Sequence, residues 1–359
     1  MSFINKLKKF KKIYLIIITS VLFLNTFLIL KIHAVSFEIA EIEISEQFDL
    51  NFNKKKVFDK AFKAAFEQLY MMTTVSTYKE KLNKTSLQRI KGLIDSFNIS
   101  DEKFIDDKYY AKFNVDFDKK KTLKFFEDNN IFPSLPKKIK ILLLLILIDL
   151  KDEKLMIFDE NPIFNNWNKY SKKSDLLNYI LPNEDLEDRS FIKSNLDSLE
   201  DYDFEEIIRK YALENHIVTI AYKDKENLKV LSKIKLKNNY KIINSNYSNV
   251  NLENKDLIKN FIYELKKVYE DNWKELNIIN TSIKLPITIS LSSQNINKIE
   301  LFEDLINDLD LVSNYYILSF NSKKIYYKVV YNGQPKKLLN EITNYGLEVE
   351  NENNNWNIK

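Results

Sequence analysis

Ile141-Leu142-Leu143-Leu144-Leu145-Ile146-Leu147-Ile148 is an unbroken run of eight apolar residues between Lys140 and Asp149. A bilayer-spanning helix takes about 20 residues. The run therefore reads as a buried strand, over residues 139–148. A strand with no polar face has to be covered by other layers. Downstream, helical pieces are expected around residues 161–169, 174–179 and 204–214, and strands at 217–222, 228–236 and 240–247. A long helix over 254–276 follows, with Ile258, Ile262, Leu265, Tyr269, Trp273 and Leu276 along one face. This central module, 137–280, is an α/β arrangement in which helices can cover a sheet.

On the N-terminal side lies an α+β module, 35–132. Residues 36–44 read as a strand, and Val57, Phe58, Ala61, Phe62, Ala65, Phe66 and Leu69 recur at helical spacing. Tyr109, Ala111, Phe113, Val115 and Phe117 alternate with polar residues, which makes 97–105 and 109–117 a half-buried hairpin. A short helix at 119–129 precedes the boundary marked by Pro133 and Pro136. The C-terminal module, 281–359, reads strand 283–291, helix 297–308, strands 311–320 and 324–331, helix 335–345, then a strand at 347–350 or 356–358. This βαββαβ order is ferredoxin-like. Pro335 suits a first helical turn and Gly346 a C-cap. The fold class is α+β, made of small α/β modules behind an N-terminal signal or anchor helix.

Residues 1–34 contain six lysines and no acid, and 13–30 form 18 uncharged residues. A basic segment followed by an apolar one is a secretory leader, while 18 apolar residues also reach the lower limit for a membrane anchor. Ile32-His33-Ala34 offers a small-residue cleavage site. Under either reading the five lysines of residues 1–12 keep that end in the cytoplasm and send Val35 onward across the membrane. Without the leader the chain carries 49 basic and 51 acidic groups, which leaves no basic body for a nucleic-acid partner.

No cysteine is present, and only two histidines and three glycines. Disulfides, thiolate nucleophiles, Cys-ligated zinc, His-rich metal sites and Gly-rich phosphate loops are thereby excluded. No cofactor is expected. Among weak candidates for metal or acid–base chemistry, Asp185, Glu187 and Asp188 belong to an acidic cluster around Leu186, and Asp149 and Asp159 follow the buried strand. The competing reading makes Asp185 the cap of a helix starting at Leu186, with Glu187 and Asp188 near its positive end. Trp167, in Asn161-Pro162-Ile163-Phe164-Asn165-Asn166-Trp167, could face a partner or ligand, or anchor the core. His216 has no second histidine or cysteine to work with and reads as an incidental strand-edge residue.

The exported part resembles an uncharacterised proteobacterial envelope family, domain of unknown function twenty sixty-six in its alphaproteobacterial form. The resemblance rests on Ser36-Phe37-Glu38-Ile39-Ala40 after the leader, the helix from Ala61 to Leu69, Asp107-Lys108-Tyr109-Tyr110-Ala111-Lys112-Phe113, Asn161-Pro162 to Trp167, and Leu181-Pro182 through Asp185-Leu186-Glu187-Asp188. The closing Tyr331-Asn332-Gly333, Gly346-Leu347 and Trp356 belong to it as well. It implies export and architecture and carries over no catalytic residue.

The expectation is an exported, non-enzymatic periplasmic protein that assembles with other envelope proteins, touching the inner membrane through its leader if uncleaved. Two alternatives stand beside it: an envelope hydrolase or metal-dependent enzyme built on the acids, and a small-ligand or glycan binder with an aromatic-lined cleft.

Overall fold

The structure, a computed structural model, describes residues 36–280, 284–352 and 355–359. The signal or anchor reading of 1–34 lies outside them. Among the described residues the fold is α+β, with ten α-helices and three sheets, and no helix is long and apolar enough to cross a membrane.

The first sheet has the order β1-β3-β2, from β1 (Ser36–Gln47), β2 (Ile94–Ile105) and β3 (Lys108–Asp118). Asp106 and Asp107, both at positive φ, turn the chain between β2 and β3, as tight hairpin turns require. Helix α1 (Lys54–Thr73) lays Val57, Ala61, Phe62, Ala65, Phe66 and Leu69 on the apolar face of β3. Asn53 caps it by accepting the Lys55 N–H. Two short helices, α2 (Lys79–Asn83) and α3 (Leu87–Leu93), lead into β2, and α4 (Lys119–Asp128) follows β3.

The central sheet runs β5-β4-β7-β8-β9, with β6 also paired to β4. Its strands are β4 (Ile139–Asp149), β5 (Lys154–Ile157), β6 (Leu177–Ile180), β7 (His216–Asp224), β8 (Asn227–Leu236) and β9 (Asn239–Tyr247). Strand β4 is apolar throughout because both its faces are covered. Ile141, Leu143, Leu145 and Leu147 face one cluster, and Leu142, Leu144, Ile146 and Ile148 the opposite one. Burying each such side chain contributes roughly 1.5–3 kcal/mol. The first face is covered by α5 (Pro162–Trp167) and the 22-residue α8 (Lys255–Leu276). The second is covered by the shorter α6 (Leu186–Ser194) and α7 (Glu205–Arg209) with the loop between them.

Two expectations here are corrected. Residues 174–179 are not helical: Leu177 pairs in parallel with Ile139 as part of β6. The helix expected over 204–214 stops at Arg209, and Ala212 then turns the chain at φ 50°.

The third sheet has the order β11-β12-β10-β14-β13, from β10 (Leu285–Ser292), β11 (Val312–Phe320), β12 (Lys324–Tyr331), β13 (Val349–Glu352) and β14 (Asn355–Ile358). Both strands offered as alternatives for the C-terminus exist, as a hairpin. β14 pairs in parallel with β10, and β13 lies outside it. Helices α9 (Ile296–Asp308) and α10 (Pro335–Asn344) cover one face through Phe302, Leu305, Ile306, Leu338 and Ile342. Those side chains belong to the same apolar cluster as α1 and β3, so the first and third sheets share a core.

Candidate functional site

The short helical layer on the second face of the central sheet determines where the molecule is open. α7 and the loop before it cover β4, β7 and part of β8, but not β9. On that face of β9, Tyr240 and Ile242 remain 59% and 53% exposed. Between this strand and the 201–214 segment lies a cleft of about 840 Å³.

Strand register builds the floor of the cleft. His216 stands opposite Lys235, which stands opposite Tyr240; one row over, Val218 stands opposite Lys233, which stands opposite Ile242. Asp201, Asp203 and Glu205 line the other wall, and Asn238 and Asn239 close the end beside Tyr240.

Lys233 is buried. Its ammonium donates to the Tyr202 carbonyl at 2.9 Å and lies 5.6 Å from the Phe204 ring centroid. Among the described residues, no carboxylate forms an ion pair with it. Burial holds its pKa below the usual lysine value, against the opposing pull of Asp201, Glu200 and Asp203. An ammonium has three N–H donors, and the Tyr202 carbonyl takes one. His216 is held below its ordinary pKa, chiefly by burial and then by Lys235, and its Nδ1 is buried without a partner. The cleft thus offers hydrogen-bond donors at its base, an aromatic ring at its lip and carboxylates along its rim.

The residues singled out from sequence lie elsewhere. Asp185 caps α6, accepting the N–H groups of Glu187 and Asp188. Lys210 fills the space between the acids, 2.6 Å from Asp188, 3.1 Å from Asp185 and 3.7 Å from Glu187. The hydrogen bond to Lys210 is the main reason the Asp185 pKa is lowered. Arg189 bridges Glu160 and Glu184, 2.8 Å from each. Asp149 accepts Lys223 at 2.7 Å and the Lys151 N–H at 3.0 Å, and both interactions lower its pKa, Lys223 more. Asp159 is exposed on a single 3-10 turn. Among the described residues, no group of three or more His, Asp or Glu side chains is placed to hold a metal ion.

Trp167 presents no surface, which corrects its reading as a partner or ligand contact. It is fully buried, edge-on to Tyr179 and tilted against Tyr269, because α8 lies across it. The Asn161-Pro162 pair is explained locally: Asn161 caps α5 through the Ile163 N–H and donates to the Leu145 carbonyl of β4. His216 and Lys233 carry the cleft; the sequence marks His216 only as a strand-edge residue and places Lys233 in no motif. The signal available was a lysine at a position of β8 whose neighbours, Leu231 and Val218, are both apolar.

No family model matches the chain. No curated protein matches it either.

Proposed function

We propose that this chain is an exported envelope protein that acts by binding another polypeptide, and that its recognition site is the cleft beside β9. The leader of 1–34 supports export to the periplasm, with or without a retained anchor. The observation that carries the binding reading is Lys233: a buried ammonium with donors to spare, lining a cleft and, among the described residues, in ion-pair contact with no carboxylate. A charge in that position is costly to the fold unless something completes it. Asp201, Asp203 and Glu205 on the rim disfavour an anion, so the fitting acceptor is a neutral carbonyl.

An extended segment lying in the cleft, across Tyr240 and over Lys235 and Lys233, supplies such carbonyls. Tyr240 and Ile242 would pack against the incoming side chains. We also read the C-terminal module as ferredoxin-like, supported by its βαββα order and the adjacent, antiparallel β10 and β12 inside the sheet; it departs from that pattern in ending on a hairpin whose β14 runs parallel to β10.

The test is a photo-crosslinking amino acid at position 240 of the full chain in living cells, with the leader intact or deleted. A discrete adduct that requires the leader and does not form from exposed Lys56 is the expected result. No position-specific adduct, or one indifferent to the leader, contradicts the reading.

A further inference from the structure

We propose that the chain self-associates as a two-fold dimer through β11, a reading independent of the cleft. β11 is the outermost strand of the third sheet, and its outer edge is unpaired among the described residues. Natural edge strands are usually protected by charged residues or proline. The other long edge strands here follow that rule: β1 carries Glu38, Glu41, Glu43 and Glu46, β2 carries Asp95 and Lys103, and β9 carries Lys241. The nine residues of β11, Val312–Phe320, hold no charge at all. Tyr316, Ile317, Leu318 and Phe320 are 50%, 50%, 54% and 79% exposed.

The flanking charges specify the occupant and its direction. Asp308 and Asp310 precede the strand, and Lys323 and Lys324 follow it. A second copy paired antiparallel, centred near Tyr316, sets the acidic end of each β11 beside the basic end of the other. A parallel copy would set like against like, which destabilises strand pairs. The self-complementary arrangement is the isologous contact that a closed dimer needs. Asp310 also bonds Lys119 of its own chain at 2.7 Å, so Asp308 is the freer acid. An interface of one strand pair is small, which places the dimer among weak, reversible associations.

The absence of cysteine gives a clean test, since one introduced cysteine can crosslink only to its own copy. In the purified full chain, Tyr316→Cys is expected to give oxidised dimer at roughly ten times the yield of Lys56→Cys, from the high local concentration across a two-fold axis. Phe320→Cys alone should give no more than that control, because antiparallel copies hold the two positions more than about 20 Å apart. A mixture of Val312→Cys and Phe320→Cys chains should crosslink. Adding Ile317→Lys to Tyr316→Cys should abolish the dimer while circular dichroism stays unchanged. Asn314→Cys serves as a second central position if Tyr316→Cys fails to fold. Yields at both central positions equal to the Lys56→Cys control would overturn the proposal, and so would Phe320→Cys crosslinking as strongly as Tyr316→Cys.

Discussion

Glu270 Oε1 accepts the backbone N–H of Leu177 at 2.9 Å, joining helix α8 to the first residue of strand β6. The same carboxyl accepts the Leu176 N–H at 3.0 Å. Asp175, Lys266 and Lys274 are the charged groups around it. Burial raises the Glu270 pKa from 4.5 to about 7, against the lowering effect of the two backbone N–H groups and Lys274. The folded state therefore favours the protonated carboxyl. Its contribution to stability is complete below pH 4.5 and is lost as pH rises through about 7.

Urea unfolding should accordingly show a loss of roughly 2–3 kcal/mol from this group between those pH values. Glu270→Gln keeps the accepting oxygen and removes the titration, so its stability should vary less with pH over that interval. A variant with the wild-type pH slope would show that another group is responsible.

The acidic cluster at α6 is occupied by protein cations rather than open to metal. Millimolar Ca²⁺ or Mg²⁺, and EDTA, should leave the thermal midpoint unchanged. Lys210→Met should lower it, because Asp188 is 2% exposed and would be left buried without its partner. A midpoint raised by Ca²⁺ would restore the metal reading of Asp185, Glu187 and Asp188.

With three glycines in the chain, turns that favour glycine are made by other residues. Glu153, between β4 and β5, and Lys225, between β7 and β8, have φ values of 49° and 56°. Glu153→Gly and Lys225→Gly remove a Cβ from the left-handed region, and each should stabilise the chain by about 0.5–1 kcal/mol in chemical denaturation. Destabilisation by either would mean that the side chain contributes more than its strain costs.

Physical reasons separate what could be read from the sequence and what could not. β4 and the β2–β3 hairpin were legible because their patterns state how many faces are buried: two for Ile141–Ile148, one for the alternation from Tyr109 to Phe117. The long helix α8 was legible from its single stripe. β6 was not, since what makes residues 177–180 a strand is pairing with β4 and the Glu270 carboxyl, more than 90 positions away. Trp167 could have been lip or core at its position on α5, and only the placement of α8 decides it. The cleft was the least legible feature. It comes from the register of three strands and from a helical layer that ends at Arg209 before reaching β9, and no local pattern encodes either.

The central claim is that Lys233 serves recognition and not the fold, and Lys233→Met tests it most directly. Methionine fills similar volume without a buried charge, so stability should equal or exceed that of the natural chain, by up to roughly 2 kcal/mol. The decisive measurement is the crosslinking yield from position 240 in that variant. The adduct should be lost in a chain that is folded and no less stable. An adduct formed at the natural level by Lys233→Met, or a variant that loses stability as a damaged core would, contradicts the claim.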